Sequence, residues 1–231
     1  MNHSRGKGLL ICFSGLDGTG KTVHAMKLMR FLRVENHSCK CVHGRWDPSL
    51  SYPFLAFLRL MGITRKVQKG NSQYFERSLD RSTPLSLLWQ FFVWIDETVA
   101  TFFKVTLPLK MGMTVICDRY VYDLVVDVAA DLESESVMWK IPLKLAFKTT
   151  PNPDIAFLMV APESCAYDRK DDTPNMKYLR IRKHLIQDLA KHFPFIIVDS
   201  TLPMPENQES VLEKVREVIG RSKGRPLAKG I

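Results

Sequence analysis

Five short runs of the chain are apolar at almost every position: residues 9–14, 39–43, 113–118, 155–160 and 195–199. A strand with one face in water alternates apolar and polar side chains, whereas a strand covered on both faces does not. These runs therefore predict the strands of a sheet buried on both sides. Between them lie longer stretches with helical spacing of apolar positions, at residues 21–35, 53–61, 85–107, 142–148, 174–191 and 208–219. Strands alternating with helices imply right-handed crossovers and a parallel sheet. Such sheets bind ligands beyond the carboxyl ends of their strands. Chemistry is expected in the residues that follow each run.

Composition changes this picture little. A chain of 231 residues with 45% hydrophobic and 25% charged residues fits one α/β domain with a sizeable core. The net charge of +9 favours anionic partners, or else serves solubility. No nucleic-acid recognition fold or stacking platform accompanies it. The five cysteines are scattered and form no metal-binding pair of pairs, so a disulfide scaffold is not expected and a cytoplasmic location is. The six histidines likewise show no metal spacing. The basic, glycine-containing residues 221–231 read as a flexible tail following a domain at 1–220.

The aromatic stretch between Pro84 and Pro108 is long enough to span a bilayer, but Gln90, Asp96 and Glu97 sit at its middle. Each carboxylate at mid-bilayer would cost roughly 2.5–3.5 kcal/mol. A buried or subunit-interface helix is expected instead, with no membrane partner.

The first strand runs into Gly15-Leu16-Asp17-Gly18-Thr19-Gly20-Lys21-Thr22, which matches G-x-x-x-x-G-K-[ST] in full. Each part answers a need of phosphate binding. The glycines let backbone N–H groups turn inward, Lys21 neutralises the β- and γ-phosphates, and the Thr22 hydroxyl can ligate Mg²⁺. The helix that starts at Lys21 adds its positive end. Gly15, Asp17, Gly18, Thr19, Gly20, Lys21 and Thr22 are thus the residues expected to bind the phosphates of a nucleoside triphosphate.

The third strand ends in Asp118-Arg119-Tyr120. A carboxylate at a strand tip can hold Mg²⁺ through water or orient an attacking oxygen. Arg119 beside it can grip an acceptor phosphate with its planar fork. After the second strand, Arg45 either contacts that phosphate or stacks on Trp46. After the fourth strand, Arg169, Lys170, Arg180 and Arg182 form a basic segment that could close over the phosphates, or a solvated helix face.

Together these residues resemble the thymidylate kinase family of nucleoside-monophosphate kinases, from residue 9 to about 219 and in matching order. The resemblance implies a P-loop NTPase fold with a five-stranded parallel sheet flanked by helices and a helical lid at about 163–183. It also implies a homodimer, small-molecule nucleotide substrates and ATP-dependent phosphorylation of dTMP to dTDP. Catalytic roles would fall to Lys21, Asp118 and Arg169, with metal binding by Thr22 and Asp118. The acceptor would be held by Asp17, Arg45, Arg119 and Tyr120.

The sequence departs from the family in two places. The helix before the Asp-Arg strand carries no arginine to read the thymine, leaving Asp96 as the nearest polar candidate, and Arg45-Trp46-Asp47-Pro48 replaces the usual Arg-x-Pro-Gly. Lost base-reading hydrogen bonds change which acceptor is taken. Another small acceptor, or a non-catalytic nucleotide switch, therefore stands beside dTMP phosphorylation.

Overall fold

The computed structural model describes residues 8–44, 46, 48–69, 72–77, 83–168 and 176–223. The five apolar runs are strands β1 (Leu10–Gly15), β2 (Cys39–His43), β5 (Thr114–Asp118), β6 (Ile155–Val160) and β7 (Ile196–Asp199). They form one all-parallel sheet in the order β2-β5-β1-β6-β7. Order of pairing and order of sequence differ because each crossover carries a helix over one face. The α/β class with a five-stranded parallel sheet is thus as expected.

The absence of alternation in β1 has a direct cause. Leu10 and Cys12 point into one core and Ile11 and Phe13 into another. The second core is roofed by α1 (Lys21–Val34) and α9 (Met204–Lys223), through Ala25, Leu28, Leu32, Val211 and Val215. The first is roofed by α2 (Tyr52–Leu60), α3 (Pro84–Thr101), α5 (Val121–Asp131), α6 (Ile141–Thr149) and α8 (Met176–Ala190). Burying apolar side chains on both faces is what holds such a sheet, at about 25 cal/mol per Å² removed from water.

Several elements go beyond the pattern. Strands β3 (Thr64–Lys69) and β4 (Ser72–Arg77) pair as a separate antiparallel hairpin. Helix α5 is not among the stretches expected to be helical, since nine of its eleven residues, Asp123 included, are buried and no exposed polar face remains. A short helix α7 (Glu163–Asp168) follows β6, and α9 runs on to Lys223, past the expected end at 219. The aromatic stretch is not one helix. After α3 come a π-helical turn, Phe102–Thr106, and α4 (Leu107–Lys110). Pro108 has no N–H to give the Lys104 carbonyl and its ring would crowd it, which locally favours a wider turn. No described helix is long and apolar enough to cross a membrane.

Candidate active site

The loop expected to bind phosphate is shaped at its first glycine. Gly15 has φ 140°, and a Cβ there would lie 2.3 Å from the Met159 carbonyl of β6, so no larger residue fits. Gly18 and Gly20 also take positive φ, at 82° and 85°, which turns the loop amides inward. No side chain caps the N-terminus of α1 and its first turn has no acidic residue. Its first amides and positive dipole end therefore face the loop, as an anion site requires. Lys21, almost fully buried, donates to the Gly15 carbonyl at 3.0 Å and the Leu16 carbonyl at 2.5 Å. Its ammonium thus lies along the loop. The Thr19 hydroxyl closes the loop by donating to the Leu16 carbonyl at 2.7 Å.

Parallel pairing sets the next residues beside this loop, since β5 is the neighbour of β1 and Phe13 is in register with Asp118. The Thr22 hydroxyl donates to Asp118 Oδ2 at 2.7 Å, and His43 Nδ1 lies 3.1 Å from the same oxygen. Asp118 Oδ1 is buried with no hydrogen-bond partner among the described residues. A hydroxyl and a carboxylate with an orphaned oxygen, at the mouth of a phosphate loop, suit Mg²⁺. That ion takes one or two protein oxygens and completes its shell with water and substrate phosphate. The described residues contain no cluster of three or more His, Cys, Asp or Glu side chains fit to hold a metal.

Arg119 has φ 72°, a left-handed conformation uncommon for a side chain of this size. Its N–H donates to the Phe13 carbonyl at 2.9 Å. This turn aims the guanidinium back over the loop, where it pairs with Asp17 Oδ1 and lies 3.6 Å from Asp123. Asp123 in turn accepts the amides of Gly15 and Tyr120, each at 3.4 Å, binding α5 to the loop. Asp123 thus caps the start of α5 and holds the loop with one carboxylate, a pairing that the sequence does not show. Arg182 of α8 reaches the same place. It donates to Asp17 Oδ2 at 3.1 Å and pairs with Asp127 at 2.7 Å. Burial alone would lower the pKa of Arg182, but Asp127, with Tyr178, Asp123 and Asp131 behind it, keeps it charged and raises it. Arg182 is thus a buried site residue, whereas Arg180 two residues before it is exposed. Asp17 is the hub that holds both guanidinium groups over the loop.

A recess opens beside Asp118, between the tips of β2 and β5 and the end of α3. It is lined by Val42, His43, Gly44, Trp46, Cys117, Tyr120 and one helical face carrying Glu97, Ala100, Thr101, Lys104 and Val105. The Tyr120 ring borders it, while its hydroxyl donates to the Pro151 carbonyl at 2.7 Å. Burial raises the pKa of that phenol, so it stays protonated.

Asp96 is not available to read a base. It accepts the Leu50 amide at 2.7 Å, the Ser49 hydroxyl at 3.0 Å, the Ser49 and Ser51 amides at 3.3 Å, and the Ser51 hydroxyl. It caps the start of α2, and that fixed role corrects the expectation from sequence. Glu97, one residue on, faces the recess instead. Arg45 and Arg169, with Lys170, lie outside the described residues.

All five cysteines are free thiols. No protein-family model matches the chain. It is similar to the thymidylate kinase of Plasmodium falciparum, at 24% identity over 222 residues that cover 94% of each chain. It is also similar to the probable thymidylate kinase of Methanocaldococcus jannaschii, at 27% identity over 94% of this chain and 97% of that one. Both likenesses extend over nearly the whole chain.

Proposed function

We propose that this chain is an ATP- and Mg²⁺-dependent nucleoside-monophosphate kinase that converts dTMP to dTDP. The observation that carries the reading is the joint placement of the loop Lys21 and Thr22 with Asp118 and Arg119 beyond the carboxyl ends of β1 and β5, joined by the Thr22–Asp118 hydrogen bond. The likeness to two thymidylate kinases supports the acceptor class.

In this reading the amides of Gly18–Gly20 and the Lys21 ammonium hold the β- and γ-phosphates of ATP. Thr22 and Asp118 hold Mg²⁺, which when bound neutralises charge on those phosphates. Arg119, with Arg45, grips the acceptor phosphate, and the carboxylate of Asp17 meets the acceptor sugar. An acceptor phosphate oxygen attacks the γ-phosphorus in line, the bond to the β–γ bridging oxygen breaks, and ADP leaves. The protein contributes position and positive charge: Lys21 from the loop, Arg182 from α8 and Arg169 from the lid. A basic strand-tip arginine favours a phosphorylated acceptor over water.

One observation favours a second acceptor. Helix α3 has no arginine and Asp96 is committed to the start of α2, so the base is read by other groups. Purified protein incubated with Mg-ATP and a panel of nucleoside monophosphates and sugar phosphates, with ADP measured, decides between them. Turnover of dTMP is the expected result. Turnover of a sugar phosphate alone selects the second reading, and no affinity for any Mg-nucleotide ends both.

A further inference from the structure

The carboxylate of Glu97 is 7% exposed and faces the recess beside Asp118. Its Oε1 accepts the Thr101 hydroxyl at 3.0 Å, a bond along its own helix that leaves Oε2 for other donors. Burial raises its pKa, against the Thr101 hydrogen bond and the charge of Lys104. A carboxyl group held in apolar surroundings is costly to keep without partners. Here the surroundings are the rings of Trp46 and Tyr120, with Val42, Ala100 and Val105.

Lys104 lines the same recess seven residues further along, two turns up the same helical face. Between Glu97 and Lys104 the backbone passes from α3 into the π-helical turn. Such turns recur at functional sites because they re-aim side chains. The recess therefore offers one buried hydrogen-bond acceptor, one cationic donor and an aromatic wall, all next to the carboxylate that joins Thr22. An aromatic ring that presents an N–H beside a C=O would answer all of these features.

We infer that Glu97 determines acceptor specificity by accepting the ring N–H of a base whose edge carries –NH–C(=O)–, with Lys104 toward the keto oxygen. This rests on the kinase reading and deepens it. Thymine, uracil and guanine have this edge. Cytosine and adenine carry a bare ring nitrogen beside an amino group, and present it in the reverse order. The carboxylate thus takes over base reading in a helix without arginine.

Two acceptors, dTMP and N3-methyl-dTMP, test this with wild-type protein and the Glu97→Gln variant. Binding is measured calorimetrically and transfer by ADP release. The methyl group removes the N–H and nothing else polar. Wild-type protein is expected to bind the methylated acceptor about 100-fold more weakly, since a buried acceptor atom loses its donor. Glu97→Gln keeps the bulk of the side chain and weakens the acceptor. The ratio should fall to about tenfold or less, with ATP affinity unchanged.

If the methyl group acted by size alone, the ratio would be the same in both proteins, and that result overturns the inference. Equal binding of both acceptors by wild type does so too. The parent reading fails separately: dTMP that binds with the expected Glu97 dependence but is never phosphorylated ends the kinase assignment and leaves the specificity assignment standing. Conversely, dTMP turnover indifferent to Glu97→Gln ends only the inference.

Discussion

Asp96 and Glu97 are adjacent on α3, yet their surroundings drive them in opposite directions. Burial would raise Asp96, but hydrogen bonds from Ser51, Leu50 and Ser49 outweigh it and hold the carboxyl below its ordinary value. Burial raises Glu97, and the Thr101 hydrogen bond with the charge of Lys104 does not offset that. The consequences for stability differ in sign. A depressed carboxyl stabilises the fold above its unfolded pKa, and the contribution is lost as pH falls through the folded value. Asp96→Ala should cost about 2–3 kcal/mol at pH 7, with the gap to wild type closing below about pH 4 in urea unfolding curves. A raised carboxyl binds its proton more tightly when folded. Glu97 therefore costs stability as pH rises from its unfolded pKa through its folded one, and Glu97→Gln should flatten that decline.

At the same scale, the Lys21 ammonium is held by loop carbonyls, with Asp17 at 3.9 Å. Lys21→Ala should lower kcat by about 10²–10³, with far-ultraviolet circular dichroism unchanged. Undiminished turnover would remove Lys21 from the mechanism. For Arg119→Ala the KM for the acceptor should rise far more than the KM for ATP. A rise in ATP KM alone would place the guanidinium on the donor instead.

At the scale of elements, the site depends on how closely two strand tips approach. The Gly44 amide donates to the Asp118 carbonyl at 2.8 Å, extending the β2–β5 pairing past His43. A Cβ at Gly44 would meet the Arg119 carbonyl at 2.2 Å. Backbone cannot yield there without parting the tips, and both the recess and the turn at Arg119 lie in the gap. Gly44→Ala is therefore expected to destabilise by about 1–3 kcal/mol and to raise the acceptor KM more than the ATP KM. Equal changes in both constants would argue for a general loss of folded protein. Helix α5 matters for the same reason: Asp123 ties it to the loop and Asp127 ties it to α8. A carboxylate every fourth residue, at 123, 127 and 131, was visible in the sequence. Its purpose was not, because the arginine it serves lies 55 residues from Asp127.

For the whole molecule, the loop, the Asp118 tip and α8 meet over the end of the sheet and share charges. Asp17, Arg119, Arg182, Asp123 and Asp127 form one network. A phosphate that entered it would take donors now given to Asp17, so nucleotide binding should stiffen elements from both ends of the chain. Mg-ATP at 100 times its Kd should stabilise the fold by about 2.7 kcal/mol. For a chain of this size that raises Tm by roughly 5–10 °C. Removing Mg²⁺ with a chelator should reverse most of the shift. No shift with any nucleotide would contradict the cradle formed by Gly18–Gly20.

Sequence alone determined the elements whose cause is local or periodic. A two-sided sheet requires uninterrupted apolar runs, and all five strands were legible for that reason. The glycine spacing likewise marked a turn, and Gly15, Gly18 and Gly20 all take positive φ, with Lys21 bonded to the Gly15 carbonyl. Only the tertiary structure decided what depends on distant partners. It spent Asp96 on residues 49–51 and brought Arg182 across 165 positions to Asp17. It also turned Glu97, not Asp96, toward the recess. A 100° step along a helix separates neighbours in sequence, and which of the two faces the recess is settled by how α3 packs in the fold, which no local pattern encodes.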